Sequence, residues 1–269
     1  MIYDLQKASM WKRISAFLCD IILFCIVAVG IALLLSSLLG VDAQQEKMVA
    51  TCNRYAEEYD LDAFLTKEEL DGAIFFSVTE ERRATLTEAQ QKNLQAAADA
   101  LEKDEDYLYA YSMTIQLSLL IITFSILFTH LILEFTVPLF FKNGQTLGKK
   151  IFGVGVMRID GVKISPVVLF VRTILGKYAV ETMIPVFALI SIFVLGTATI
   201  VTLALLFVLI VAQIALLIFT KENALLHDIL AGTVTVDFAS QMIFDTPEDL
   251  LEYKRKLHAE SVAENTQNS

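Results

Sequence analysis

The 269-residue sequence is poor in the residue types from which most metal sites and enzyme active sites are built. It contains three histidines, three cysteines, four prolines and one tryptophan. The histidines are His130, His227 and His258, and their spacing matches no common set of zinc or transition-metal ligands. We therefore expect no metal ion, no cofactor and no enzymatic activity.

Motifs for nucleophilic catalysis and for nucleotide binding are also missing. No serine lies in the strand–turn–helix context of a catalytic nucleophile. The glycines near residue 150 do not lead into a Lys-Ser or Lys-Thr pair, which argues against a phosphate-binding loop. His227-Asp228 is similar to the dyad of HD-type metal hydrolases, but the chain has too few other ligands with recognisable spacing. We expect no nucleic-acid partner.

Charged residues make up only 19% of the chain, whereas apolar residues make up 55% and are gathered in long blocks. A mean hydropathy of +0.59 together with such blocks is typical of membrane-spanning chains. The sequence therefore predicts an all-α integral membrane protein with the lipid bilayer as its main partner.

Four apolar stretches are long enough to cross a hydrocarbon core of about 30 Å at about 1.5 Å per residue. The first transmembrane segment lies within 8–40, the second within 113–141, and the third and fourth share 178–220. We expect a break between the last two at GTAT, residues 196–199, and a kink at Pro185. One span followed by a re-entrant segment is the alternative for this last stretch.

A cleaved signal peptide is the rival interpretation of the first apolar block. Lys12 and Arg13 would form its basic region, and VDA at 41–43 its cleavage site. However, the apolar run at 14–39 exceeds the ~7–15 residues usual in signal peptides, and Asp20 is unusual inside one. We therefore favour a retained transmembrane helix.

Cysteine is scarce beyond these apolar segments. Cys19 and Cys25 fall within the first segment, and Cys52 follows it. No disulfide bond within the chain is therefore expected outside the membrane. Cys52 is expected to be a free thiol, with a bond between two chains as the alternative.

The distribution of basic residues predicts the orientation of the helices. Because cytoplasmic loops carry an excess of lysine and arginine, we expect the N-terminus, a middle loop (142–177) and a polar C-terminal tail (240–269) in the cytoplasm. The prediction is a four-helix transmembrane bundle of the cell membrane, with both termini inside and residues 41–112 outside. It rests on Lys7, Lys12, Arg13, Lys142, Lys149, Lys150, Arg158, Lys163, Arg172, Lys177, Lys254, Arg255 and Lys256.

The acidic insertion, residues 41–112, carries the charge bias of the whole chain. It contains seventeen acidic and seven basic residues, and its net charge of −10 equals that of the protein. Its composition favours helix, and Thr66 with Glu69 and Thr85 with Glu88 match the spacing of capping boxes. We expect a helical extracytoplasmic insertion whose last helix runs from about residue 86 straight into the second transmembrane segment.

The middle loop contains a pattern typical of a β-hairpin. Residues 153–159 alternate in character, Asp160-Gly161 is a tight-turn dipeptide, and 162–164 can form the returning strand. The β-branched run at 233–237 is predicted to add a third strand. A small cytoplasmic β element would then join the middle loop to the C-terminal part of the chain.

Three polar motifs occur in order along the chain. They read KRISAFLCDIIL in the first segment, GQTLGKK at 144–150 and, within a turn and strand at 221–239, LHDILAGT at 226–233. With these motifs the chain resembles the RDD family of bacterial membrane proteins, which is named for one arginine and two aspartates. By this resemblance Arg13, Asp20 and Asp228 are the signature residues.

The resemblance covers about 8–40 and 125–237 and leaves the acidic insertion and the tail outside. It implies a fold more clearly than a function, because members are generally described as of unknown function with transport suspected. Residues of the second and third motifs are then expected to be structural. They are Gly144, Gln145, Thr146, Gly148, Lys149, Gly232 and Thr233.

Charged and titratable residues of the apolar segments fall at similar depths. Arg13 and Asp20 are seven residues apart, hence on one helix face and about 10 Å apart along the axis. Glu134 is seven residues from the cytoplasmic end of the second segment, and His130 lies one turn deeper on the same face. We expect a polar cluster of Arg13, Asp20, His130, Glu134, Arg172, Lys177, Glu181, His227 and Asp228.

A charge near the bilayer centre costs about 2.5–3.5 kcal/mol unless it has a partner, water or a neutralising proton. One interpretation is transport, in which Asp20 and Glu134 bind a small cation or a proton and His130 acts as a relay. Two carboxylates in one desolvated site would compete for a single proton, which permits exchange of a cation for a proton.

A second interpretation is that the charges are purely structural. Arg13 would then pair with Asp228, and Asp20 with Arg172 or Lys177, so that the pairs determine how the helices are arranged. A third is a membrane subunit or assembly factor that binds a lipid, a second copy of the chain or another membrane protein. The sequence leaves the three interpretations open.

Overall fold

The computed structural model of the protein describes residues 3–70, 73–77, 84–193, 196 and 199–267. In chain order its main elements are α1 (Met10–Leu39), α2 (Val41–Glu58), β1 (Thr66–Leu70), β2 (Ala73–Ser77), α3 (Glu88–Leu101), α4 (Glu105–Phe141), α5 (Leu147–Ile151), β3 (Val154–Arg158), α6 (Pro166–Phe193), α7 (Ile200–Phe219), α8 (Leu226–Ala231), β4 (Thr233–Asp237) and α9 (Pro247–Gln267).

The described helices α1, α4, α6 and α7 are long and apolar enough to cross a membrane. In the most apolar stretches of α1 and α7 no residue is buried inside the protein. Helices satisfy their own backbone hydrogen bonds, so such exposed apolar faces are compatible with lipid as solvent. The prediction of four helices of membrane-spanning length is confirmed.

The third long helix begins earlier than predicted. It begins at Pro166, directly after Ser165, whose hydroxyl oxygen accepts a hydrogen bond from the backbone N–H of Val168 at 3.3 Å. Proline is favoured at the first position of a helix because its missing N–H has no partner there anyway. The prediction that the middle loop extends to residue 177 is therefore wrong, since charged residues lower the hydropathy of this part of α6.

Two of the long helices contain π-helical segments. The segment in α4 is His130–Thr136, and the segment in α6 is Val171–Met183. Such segments interrupt regular helical geometry and are frequent at functional sites. Pro185 follows the second segment, so α6 is irregular where the sequence predicts a kink.

The break between α6 and α7 agrees with the prediction at GTAT. Gly196 has a φ of +61°, a conformation that favours glycine, and the hydroxyl oxygen of Thr199 accepts a hydrogen bond from the N–H of Thr202 at 3.2 Å. Positions 194, 195, 197 and 198 lie outside the described residues. The described ends of the two helices nevertheless fall on either side of the predicted break.

The chain divides into two compact units, one of residues 1–29 and 126–269 and one of 30–125. In the second unit, strands β1 and β2 pair antiparallel, with Thr66 opposite Ser77. The predicted helices of the insertion are present as α2 and α3, but the insertion also contains this two-stranded sheet, and Thr66 begins a strand rather than a helix. The run AIFFS has the aromatic and β-branched residues that favour strands, and here it outweighs the spacing of a capping box.

Helix α3 begins and ends at other residues than predicted. Its capping box joins Thr87 and Gln90 instead of Thr85 and Glu88. It ends at Leu101 and does not continue into α4, because Asp104 begins the next helix by accepting a hydrogen bond from the N–H of Tyr107 at 2.8 Å. The core of this unit is small and apolar and consists of Ala56, Leu61, Phe64, Leu86 and Ala97.

In the first unit a two-stranded sheet joins the middle loop to the chain after α7. Strands β3 and β4 pair antiparallel, with Val154 opposite Asp237, which confirms the strand predicted at 233–237. The predicted hairpin is present only in part: Met157 and Lys163 form an isolated antiparallel bridge, and the N–H of Arg158 donates to the carbonyl of Val162 at 2.9 Å. Residues 162–164 form no full strand, and Val162 also bridges Phe244.

The segment before α1 joins the same sheet. Lys7 forms an antiparallel bridge with Val236, and the N–H of Asp237 donates to the carbonyl of Gln6 at 2.8 Å. Lys12 also forms an ion pair with Asp237. The chain before α1, the middle loop and the chain after α7 therefore meet at one sheet.

Candidate functional site

A cavity of about 630 Å³ lies within the first unit, between α1, the π-helical segments of α4 and α6, α5 and α8. The nine residues of the predicted polar cluster all line it, and Lys149 of the GQTLGKK motif joins them. Whether these residues carry transport stays a prediction. The charged and titratable lining residues are Arg13, Asp20, His130, Glu134, Lys149, Arg172, Lys177, Glu181, His227 and Asp228.

Asp228 of α8 forms a fully buried ion pair with Arg172 of α6. Nε and Nη2 of Arg172 each lie 3.0 Å from Oδ1 of Asp228, and the two side chains are 2% and 1% exposed. The hydroxyl of Thr233 donates to the same oxygen at 2.8 Å. Burial alone raises the pKa of Asp228, but Arg172, His227 and Thr233 outweigh it and hold the pKa well below its usual range.

The predicted ion pair between Arg13 and Asp228 is therefore wrong. Both residues line the cavity, but Arg172 occupies the position beside the carboxylate. The guanidinium of Arg13 is half-buried and forms no hydrogen bond or ion pair with any residue that the structure describes. Residue counting along the helices brings both residues to one cavity, whereas the choice of partner depends on helix rotation.

Asp20 holds the beginning of α5 against α1. Its Oδ1 accepts a hydrogen bond from the N–H of Gly148 at 2.7 Å, and its Oδ2 accepts one from the hydroxyl of Thr146 at 2.5 Å. The predicted pairing of Asp20 with Arg172 or Lys177 is wrong for this reason. A carboxylate is stabilised there because it satisfies a free N–H of the first helical turn.

Glu134 joins the two π-helical segments. Its Oε2 accepts a hydrogen bond from the ammonium of Lys177 at 2.5 Å. The backbone carbonyl of Glu134 accepts a second from the hydroxyl of Thr173 at 3.0 Å. Thr173 and Lys177 thus contact Glu134 from the same face of α6. The hydrogen bond of Thr173 supports the ion pair, and a buried ion pair requires such additional hydrogen bonds.

Glu181 and His227 join α6 to α8. The backbone N–H of His227 lies 2.9 Å from one carboxylate oxygen of Glu181, and Nδ1 lies 2.8 Å from the other. Burial lowers the pKa of His227 more than the nearby carboxylates raise it. A carboxylate oxygen accepts hydrogen bonds, so the Nδ1–H group of His227 is the donor to Glu181.

His130 lies among aromatic rings beside the cavity. Its Nε2 lies 3.2 Å from the hydroxyl of Thr182, and its ring centroid is 4.7 Å from that of Phe24 and 5.9 Å from that of Tyr178. Its Nδ1 is buried and has no hydrogen-bond partner among the described residues. The ring thus retains one nitrogen that can take or give a proton.

A second, much smaller space of about 10 Å³ lies between Asp20 and Glu134. Its other walls are apolar, and its volume is close to the least that holds one water molecule. The two carboxylates that are predicted to share one site therefore border one space. The remaining lining residues are Leu23, Phe24, Leu133 and Leu147.

Lys149 is the charged lining residue whose position the sequence did not indicate. Its Nζ atom is buried and forms no hydrogen bond with any described residue. Burial lowers the pKa of Lys149, and repulsion from Lys177 and Arg172 adds to this, so the pKa falls to about 7. The sequence does contain an indication of where Lys149 lies, because this residue follows by three positions Thr146, whose hydroxyl caps α5.

The other residues of the predicted structural motifs lie in the turns beside the cavity. Gln145 donates from Nε2 to the carbonyl of Val154 at 2.7 Å, which ties the loop to β3. Gly144 and Gly232 have φ values of +69° and +61°, and Gly232 ends α8 in the left-handed conformation typical of a helix C-terminus.

These features define a class: a helical protein of the membrane type in which buried ion pairs line a cavity beside membrane-length helices. A model described as RDD family matches residues 7–232, and the chain belongs to the RDD family. Comparisons with curated proteins and with solved structures found no match. The family prediction from the three motifs is confirmed.

Within the described part of the chain, no three His, Cys, Asp or Glu side chains come together as metal ligands.

The three signature residues Arg13, Asp20 and Asp228 all line the cavity. The two aspartates hold the GQTLGKK and LHDILAGT motifs in place, whereas the arginine faces the cavity without an ion pair to a described residue.

Proposed function

We propose that this RDD family protein transports a small cation or a proton across the membrane. The observation that carries the proposal is the cavity of about 630 Å³, whose walls contain ten charged or titratable side chains beside helices of membrane-spanning length. Ionisable residues in such segments are costly, and they commonly mark ion or proton pathways.

Asp20 and Glu134 are the proposed cation or proton site. Both line the main cavity and the space of about 10 Å³ between them. Carboxylate oxygens are preferred ligands of hard cations, and each has more than one lone pair, so Asp20 keeps acceptor capacity beyond its two hydrogen bonds. A cation bound there would compete with Lys177 for Glu134, which links binding to a change at α6.

His130 is the proposed relay. It lies one turn from Glu134 on the same helix, and its unpartnered Nδ1 supports a role in proton transfer. Thr182 holds the other nitrogen, which keeps the ring in one orientation.

We expect Asp20→Asn and Glu134→Gln each to reduce cation-dependent proton flux about ten- to hundredfold in proteoliposomes. The reason is that each change removes a charge-assisted contact with the ion, which contributes about 1.5–3 kcal/mol. Flux is measured with a pH-sensitive dye after addition of sodium, potassium or lithium salt. Glu252→Gln is the matched control, because this carboxylate is 67% exposed on α9 and should leave flux unchanged.

Two outcomes would remove the transport proposal. The first is wild-type protein that produces no flux above that of empty liposomes, and the second is full flux in both neutralised variants. The charges would then be structural, and a role as a membrane subunit or assembly factor would take the place of transport. Co-purification of one defined membrane protein would support that second role.

We also propose a location in the cell membrane with both termini in the cytoplasm and the acidic insertion outside. The meeting of the chain before α1, the middle loop and the chain after α7 at sheet β3–β4 supports one common side for all three. Their basic residues support the cytoplasmic side, because such residues are retained there during insertion.

Impermeant thiol labelling of intact cells tests this orientation. Burial raises the pKa of Cys52 and would slow its reaction, so exposed reporters are preferable: Lys103→Cys for the insertion and Arg255→Cys for the tail, each in a chain without the native cysteines. We expect the first reporter to react in intact cells and the second only after the membrane is opened. The reverse pattern would show that the orientation is inverted.

A further inference from the structure

We propose that the cavity contains an anion-binding site in which Lys149 and Arg13 bind a tetrahedral oxyanion, supplied by a phospholipid headgroup or by a free anion. This site is separate from the proposed cation site at Asp20 and Glu134. It does not depend on transport, because it follows from which charged groups in the cavity have partners.

The four carboxylates that line the cavity all have hydrogen-bond donors. These pairings join α1 to α5, α4 to α6, and α6 to α8, and they engage two of the four cationic side chains, Arg172 and Lys177. Lys149 and Arg13 are left without a hydrogen bond or ion pair to any residue in the described ranges. The lining residues carry four acidic and four basic side chains, and the two without a hydrogen-bond partner among the described residues, Lys149 and Arg13, are both cationic.

The ammonium of Lys149 is the stronger indication of a ligand. Burying an ammonium without hydrogen bonds is costly, and burying it beside other cations costs more. Arg172 and Lys177 of α6 repel it, while Asp20 of α1 and Glu134 of α4 attract it but are engaged by other donors. An oxyanion would accept the three N–H groups that Lys149 offers.

Arg13 provides the second half of the site. It lies on α1, lines the same cavity as Lys149 and is half-buried. A guanidinium has five N–H donors in a planar arrangement that matches phosphate and sulfate oxygens, and a lysine adds a point charge. Both side chains line the cavity of about 630 Å³, which is large enough for such a group.

Exposed apolar side chains also line the cavity. They include Ile14, Phe17 and Ile21 of α1, and Phe17 is 62% exposed. Leu217 of α7 lines the cavity as well. A cavity lined by both charged and apolar side chains matches an anionic lipid, which has a charged headgroup and apolar acyl chains.

The pH dependence of binding follows from Lys149. Its pKa of about 7 means that the amine is cationic below this pH and neutral above it. Affinity for an anion should therefore fall as pH rises through about 7. The other titratable groups around it are Asp20, Glu134, Arg172, Lys177, His227 and Asp228.

Sulfate is the probe for the site, because it keeps its charge between pH 6 and 8.5. We expect the full chain in a non-ionic detergent to bind it saturably by calorimetry, with Lys149→Met weakening binding about tenfold or more. Lys150→Gln is the matched control, because this neighbouring lysine is exposed, with Nζ 3.7 Å from the centroid of the Phe141 ring, and should bind sulfate like wild type.

Phosphatidylglycerol distinguishes the two sources of the anion. If this lipid competes with sulfate and phosphatidylcholine does not, the site takes a headgroup. If sulfate binds and neither lipid competes, the site takes a free anion.

Without sulfate, Lys149→Met should be at least as heat-stable as wild type, because it removes an unpartnered buried charge. The site is refuted if neither sulfate nor phosphatidylglycerol binds, or if both lysine variants lose binding equally. If Lys149→Met fails to fold, wild-type sulfate affinity that is unchanged from pH 6 to 8.5 would also refute it.

Discussion

Replacing Asp228 alone with leucine is expected to lower the free energy of unfolding by about 3–5 kcal/mol, and replacing Arg172 alone to have a similar effect. Each single change leaves its partner as an uncompensated charge, and both side chains are almost completely buried. The double variant Arg172→Leu with Asp228→Leu should be more stable than either single variant. Unfolding of the purified protein in mixed detergent and SDS micelles, followed by circular dichroism, measures the three values.

An exposed ion pair provides the control for this cycle. Lys163 and Asp245 lie 3.1 Å apart, and their side chains are 36% and 79% exposed. Breaking such a pair should change stability by less than about 1 kcal/mol. Strictly additive losses at Arg172 and Asp228 would contradict the coupling that their contact implies.

Alanine at Gly148 and Gly176 is expected to be the second most damaging kind of change. A Cβ atom at Gly148 would collide with the backbone carbonyl of Ala16, and one at Gly176 would lie 2.5 Å from Cβ of His227. Neither contact is with the far end of a flexible side chain, so the packed elements themselves must separate. We expect each variant to lose at least about 1–3 kcal/mol in the same unfolding measurement.

Gly30→Ala is the matched control for the two glycine variants. Gly30 lies within α1, and no atom comes within 4 Å of an added Cβ there. Alanine at a helical position without a clash should stabilise by about 0.5–1 kcal/mol. An equal loss at all three positions would mean that close approach is not the reason for the effect.

The buried pairs explain why polar residues follow the last apolar helix. Asp228 binds Arg172, and His227 binds Glu181, so α8 is held against α6 by two side-chain contacts. Gly176 allows His227 to approach the helix closely enough for both. The LHDILAGT motif thus closes the cavity on the side of α8.

The signature residues of the family divide into two roles in this chain. Asp20 and Asp228 are acceptors for groups of the protein itself, one at the beginning of α5 and one at Arg172. Arg13 has no such partner among the described residues and lines the cavity. The proposed anion site accordingly includes Arg13, and the proposed cation site includes Asp20.

The sequence by itself determined the membrane character, the four long helices, the break near Gly196 and the strand at 233–237. These properties follow from local composition. A long apolar stretch indicates a helix that is surrounded by lipid, and a run of β-branched residues indicates a strand. The family followed from the three motifs, and residue counting along the helices grouped Asp20, Glu134 and His130, which line one cavity. All are properties of one segment at a time.

Only the tertiary structure decided which groups are partners. Asp228 pairs with Arg172 rather than Arg13, and Lys149 turns out to face the cavity without a hydrogen-bonding partner in the described part of the chain. Residue spacing gives the height of a side chain along its own helix, but the rotation of that helix toward its neighbours depends on the packing of all of them. The extent of strand pairing is likewise decided by contacts between segments: β3 pairs with the distant β4 along its whole length, but with the nearby 162–164 only through one bridge and one backbone hydrogen bond.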